Sequence, residues 1–175
     1  MNNYDWTGKF QKLHDKAVAL YAGGNRQPAT YFDANEAAFL AGIGHTAQEL
    51  YDFAEDAVKY GEPSLADAVL IAAVRRDYFL VIQKGKPTGH NIRVEDLPAK
   101  TAAVEGFVWL PRIIEKARAK LRGEMPDELM YGCGGDRNFL KSVNIHPADF
   151  LRFVWSAGDD DAKIIAFVKE QAGQA

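Results

Sequence analysis

The sequence predicts a mainly α fold. It reads as internally duplicated four-helix units, about residues 6–76 and 106–172, with a small central β-hairpin over about residues 78–94, all within a single compact domain. Three observations carry that expectation. Apolar residues recur at three- and four-residue spacing along most of the chain, these runs are bounded by helix-starting and helix-stopping residues, and the chain aligns with itself at an offset of 100 residues.

The first helix is expected from Phe10, Leu13, Ala17 and Leu20, one face of a 3.6-residue period, with Gly23-Gly24 as its stop. Asp33-Ala34-Asn35-Glu36 starts the second, because an acceptor followed three residues later by Glu satisfies two orphan amides reciprocally. Thr46-Ala47-Gln48-Glu49 and Ser64-Leu65-Ala66-Asp67 start the third and fourth. Arg75-Arg76 then reads as charge complementing the C-terminal dipole of the fourth helix. Tyr78 to Gln83 is rich in aromatic and β-branched residues, Lys84 to Gly89 is turn chemistry, and His90 to Val94 alternates, which together predict the hairpin.

The second set repeats the first. Leu110, Ile113, Ile114, Ala117 and Leu121 form an apolar face, Pro111 sits near the start and Gly123 at the stop. His146-Pro147-Ala148-Asp149 and Asp159 to Asp161 supply two later helix starts. Sliding Phe10–Phe53 onto Leu110–Phe153 needs no gap and matches Lys16/Lys116, Ala17/Ala117, Ala19/Ala119, Gly23/Gly123, Tyr31/Tyr131, Phe39/Phe139, Leu40/Leu140 and Phe53/Phe153.

Composition excludes several classes. With 21 Lys+Arg against 24 Asp+Glu the formal charge is −3, without the basic excess of a dedicated nucleic-acid binder. The longest glycine-free apolar run, Ala68 to Val74, falls far short of the roughly 20 residues that span a bilayer. No membrane association is therefore expected, and no nucleic-acid partner. The early acid Asp5 and the lack of an apolar stretch argue against a secretory signal, so a cytoplasmic location is the default. A chain of this length buries roughly 70% of its unfolded surface and needs no disulfide, which suits the single Cys133.

The run Trp109-Leu110-Pro111-Arg112 to Arg122-Gly123, followed by Tyr131-Gly132-Cys133, Phe139-Leu140 and the helix start from Ile145 to Phe150, resembles the bacterial family catalogued as domain of unknown function 5069. The family often has an additional Tyr where this chain has Leu129-Met130, and Gly where it has Asn144. The resemblance implies an α-rich bacterial protein and transfers no activity, cofactor or catalytic residue.

Cys133 is the candidate for chemistry, catalytic or ligand-contacting. At an offset of 100 it replaces the cap Asp33, where amides and a partial positive charge favour a thiolate, and Gly134-Gly135 would let a ligand approach. Tyr131, Arg137 and His146 complete the candidate ligand site. The alternative makes Asp136 the cap and Cys133 a small buried hydrophobe. The four histidines, His14, His45, His90 and His146, show no metal-ligand spacing, so neither a metal nor a cofactor is expected. His45 and His146 fall at third-helix starts, where they either face solvent or approach a shared interface. Arg112, Lys116, Arg118, Lys120 and Arg122 read as a solvated basic face, with an anion site as the alternative. Tyr31 and Tyr131 are expected to be partly buried with hydroxyls that reach a partner. No nucleophile elbow, phosphate loop or His-Glu-x-x-His run occurs. The functional expectation is a non-catalytic binding or protein-interaction module with an unidentified protein or small-molecule partner. The competing expectation is a small-molecule-binding protein or enzyme that uses the Cys133 thiol. Oligomeric state stays open.

Overall fold

The computed structural model describes residues 3–173 and divides the chain into two units, Met1–Lys86 and Pro87–Ala175. Unit 1 holds α1 (Trp6–Ala22), a 3-10 turn (Pro28–Thr30), α2 (Ala34–Gly42), α3 (Ala47–Tyr60) and α4 (Leu65–Val81). The three predicted helix starts are reciprocal caps. Asp33 accepts from the amides of Asn35 and Glu36 while Glu36 accepts from the Asp33 amide, and Thr46/Glu49 and Ser64/Asp67 do likewise. Phe10, Leu13, Ala17 and Tyr21 form the buried stripe of α1, which packs against α3 and α4.

The hairpin lies elsewhere than at residues 78–94. Tyr78 to Val81 form the last turn of α4, and Ile82 N–H still donates to the Tyr78 carbonyl. Burial of Ile71, Ala72, Val74, Arg75 and Phe79 carries the helical phase through the β-branched stretch, so packing outweighs local strand preference. The chain leaves the helix at Lys84 and Gly85, both at positive φ. This extension also changes the reading of Arg75 and Arg76, which are interior helical residues rather than a C-terminal charge pair. Arg75 is buried, donates to Gln83 at 2.6 Å and lies over Phe79, and Arg76 donates to Asn3 at 2.7 Å and lies over Trp6.

Unit 2 begins with a 3-10 turn (Val94–Asp96) and the strand pair β1 (Ala103–Val104) and β2 (Phe107–Val108), antiparallel with Ala103 opposite Val108. Glu105 and Gly106, at φ 49° and 84°, make the two-residue turn, whose positive φ values match the twist of the flanking strands. Then follow α5 (Leu110–Arg122), α6 (Gly134–Ser142), α7 (Pro147–Ala157) and α8 (Asp161–Gln171). Along this unit α5 packs on α7 and β1, α6 on α7, and α7 on α8, where the Phe153 and Phe167 rings stack at 3.9 Å. No helix among the described residues is long and apolar enough to cross a membrane.

Each unit thus carries four α-helices among the described residues, and their bounds keep register at an offset of 100. α1 and α5 end at 22 and 122, α2 and α6 run 34–42 and 134–142, and α3 and α7 start at 47 and 147. The turn after the second helix repeats as well. His45 N–H and Ile145 N–H donate to the carbonyls of Leu40 and Leu140, across the left-handed residues Gly44 and Asn144. Asn is among the few residues besides Gly that adopt this conformation readily, which accounts for Asn144 at that place. Gly44 has a second constraint, because a Cβ there would lie 2.8 Å from Phe79 Cβ. Gly44→Ala should therefore destabilise the protein by about 2–4 kcal/mol in urea unfolding, combining left-handed strain with a core clash.

Candidate functional site

The site is assembled at the head of α6. Cys133 is its N-cap in extended conformation, and its side chain caps none of the first-turn amides. Asp136, at the third helical position, is fully buried and turns its carboxylate back over the loop. Its Oδ2 accepts from the Gly132 amide at 2.9 Å and from the Lys116 ammonium at 2.5 Å, and its Oδ1 accepts from the Trp109 indole at 2.9 Å. Three donors from three places in the chain converge on one carboxylate.

Each donor is set in place by its own element. Lys116 projects from the middle of α5 and is 2% exposed. Trp109 is the N-cap of α5 at φ 79°, held there by its amide on the Ala102 carbonyl beside β1. The indole lies against Gly135, where a Cβ would stand only 2.6 Å from Trp109 Cζ2. Gly135 is therefore required for the close approach of ring and helix. Gly132 adopts φ 82°, which turns its amide toward Asp136, and its carbonyl accepts from Arg137 at 2.6 Å.

Cys133 stands at the edge of this network. It is half-buried, and its Sγ accepts from Lys116 Nζ at 3.3 Å. The sulfur thus faces a buried ammonium at the amino end of a helix. Arg137 is buried, with one guanidinium nitrogen 3.9 Å from where a Gly134 Cβ would lie. The Tyr131 hydroxyl donates to the Pro147 carbonyl at 2.7 Å. Burial, and then the Asp136 charge, hold Tyr131 well above the usual phenol range, so it acts as a donor. His146 is the N-cap of α7, and its Nδ1 accepts from the Ala148 amide at 3.1 Å.

The sequence singled out Tyr131, Cys133, Arg137 and His146, and the first three share one loop and helix start. It offered Asp136 only as an alternative cap, did not place Trp109 in the site, and read Lys116 as part of a solvated face. That face is instead divided. Arg112, Lys116 and Lys120, spaced by four, are buried at 9%, 2% and 3% exposure. Arg112 donates to the Pro98 carbonyl at 2.8 Å, while Arg118 and Arg122 pair with Glu115, Asp161 and Glu124. His45 is likewise no solvent-facing residue. It is buried between the Glu49 carboxylate, 2.6 Å from Nδ1, and the Ala72 carbonyl, 3.2 Å from Nε2.

A signal for the missed pair does exist in the sequence. Lys16 and Glu36 occupy the places of Lys116 and Asp136, and they too form an ion pair, at 2.5 Å, joining α1 to α2. That pair is 40% and 26% exposed, whereas Lys116 and Asp136 are 2% and 0% exposed.

Unit 2 is therefore a four-helix element with a buried ion pair and a thiol at its edge. Residues 95–175 match the model of the family described as Domain of unknown function (DUF5069). The match takes in every residue of the site just described, and that description attaches no activity to them. No curated protein and no solved structure matches the chain.

The two ion pairs differ in what their loss should cost. Lys116→Met leaves a buried carboxylate without its cation and should destabilise by about 3–5 kcal/mol in urea unfolding. Lys16→Met breaks an exposed pair and should change stability by no more than about 1 kcal/mol. Gly135→Ala should lie nearer the first, because the Cβ displaces Trp109 and disturbs its bond to Asp136, a cost of about 2–3 kcal/mol in the same assay.

Proposed function

We propose that this chain is a cytoplasmic binding module, built by internal duplication of a four-helix unit, whose second copy meets its ligand through Cys133. One observation carries the reading. The half-buried Cys133 sulfur takes a hydrogen bond from the buried Lys116 ammonium at the uncapped start of α6. Gly134 beside it is half-buried and bears no side chain that would bar a ligand from the helix start.

The groups around the thiol favour binding over bond-making. Asp136 already accepts three hydrogen bonds, and Lys116 is engaged by Asp136. A general acid or base must be able to exchange a proton with a reacting group, and neither is placed to do so without dismantling the network. The matched helix bounds and the two ion pairs at 16/36 and 116/136 support the duplication. A free cysteine supports a reducing compartment.

Alkylation by iodoacetamide tests the site. Folded wild-type protein near neutral pH should label at Cys133 severalfold faster than glutathione under the same conditions, and labelling at or below the glutathione rate would overturn the reading. A thermal-shift screen of small anions and electrophiles on wild type and Cys133→Ser separates binding from simple reactivity. A ligand that raises the Tm of wild type and fails to raise that of the variant identifies the class recognised.

A further inference from the structure

Unit 1 contains two buried histidines in opposite situations. His45 has a hydrogen-bond partner at each ring nitrogen, the Glu49 carboxylate and the Ala72 carbonyl. His14 lies on the buried stripe of α1 at 4% exposure, and neither its Nδ1 nor its Nε2 has a hydrogen-bond partner. The one carboxylate acting on it is Asp15, whose Oδ1 is 3.8 Å from Nδ1, beyond hydrogen-bond length, on a side chain that is 61% exposed.

Charged groups on the elements around α1 are engaged elsewhere. Glu36 of α2 takes Lys16, and Glu55 of α3 takes Tyr21 and Lys59. Glu49 of α3 takes His45, while Arg76 of α4 bonds Asn3 and Asp77 and lies over Trp6. A neutral imidazole is tolerated in such a place at the cost of its unmade hydrogen bonds. An imidazolium there is a buried charge with no adequate counter-charge.

We propose that protonation of His14 is a built-in acid release for α1, freeing the helix from its packing against α3 and α4 while unit 2 keeps its fold. The direction of the linkage follows from burial, which holds His14 below the ordinary 6.5 against the weaker pull of Asp15. Above that ordinary value neither state binds the proton and the packing is intact. As pH falls below it, the opened helix binds a proton that the packed one excludes, so the opening constant rises by up to about tenfold per pH unit. The stabilisation is thus present above about 6.5 and lost on the acid side.

Hydrogen exchange of the full chain between pH 7.5 and 5, corrected for intrinsic rates, reads this segment by segment. In wild type, opening of residues 6–22 should rise as pH falls while residues 110–122 change little. In His14→Leu the acid dependence of residues 6–22 should vanish, and Asp15→Asn should steepen it by removing the nearest negative charge. His14→Gln, which takes up no proton in this range, gives the same comparison should the leucine variant fold poorly. Equal acid dependence of residues 6–22 in wild type and in either His14 variant would overturn the proposal. So would an α1 in wild type no more acid-sensitive than α5.

Discussion

The ion pair of Lys116 and Asp136 is the constraint on which the second unit is organised. Neither charge reaches water, so each depends on the other and on the remaining donors for compensation of lost hydration. That requirement sets where α6 begins relative to α5, because the carboxylate must meet an ammonium that projects from the middle of the longer helix. It also accounts for the strained entry to α5. Trp109 accepts a left-handed backbone, uncommon for a bulky residue, and in exchange its indole covers Gly135 and bonds the buried carboxylate. The short strand pair finds its purpose here, since its second strand ends one residue before Trp109 and fixes the direction from which the ring arrives.

Unit 1 shows the same arrangement with the electrostatics relaxed. Lys16 and Glu36 make the corresponding pair, but water reaches both, and Glu36 divides its carboxylate between Lys16 and the reciprocal cap with Asp33. With cysteine in place of that cap, the α6 carboxylate turns to Gly132, Trp109 and Lys116 instead, and the sulfur is left facing the ammonium. The two helix starts thus differ, an ordinary reciprocal cap at Asp33 and a buried charge network at Asp136. Polar residues elsewhere in unit 1 close a cluster of a different kind. Tyr21 donates to Glu55, Arg26 lies 3.5 Å over the Tyr21 ring, and Tyr31 and Tyr51 pack beside it. The positions 21, 51 and 55 correspond to Leu121, Leu151 and Trp155, so the two units distribute polarity to different places on a similar frame.

How much of this was legible depended on how local the cause was. Asp33, Thr46 and Ser64 announced their helices because a cap acts through residues three apart, within reach of a sequence reading. Tyr78 to Val81 misled because strand preference is a property of the residues alone, whereas the burial of Phe79 on the inner face of α4 is a property of the fold. The turn at Glu105-Gly106 leaves no trace in the sequence, because two residues per strand give no alternation to detect. The cations of α5 were misread for a related reason. Nothing in residues 112–120 reveals that a carboxylate twenty positions further on will be brought beneath them, unless the two halves are laid over each other and the acids at 36 and 136 are seen to coincide. His45 differs from His14 in having Glu49 four residues on and the remote Ala72 carbonyl as acceptors, and only the first of these is visible in the sequence.

The crowding of donors on Asp136 also bears on how this molecule tolerates change. Trp109, Lys116 and Gly132 do not contribute independent increments, for each acts on a charge that the others already stabilise. Double-mutant cycles among them would show coupling well beyond that of separated sites, and removal of the carboxylate would relieve part of the damage done by removal of the lysine. The cost of a substitution at Trp109, Lys116 or Asp136 therefore depends on whether the other two are in place.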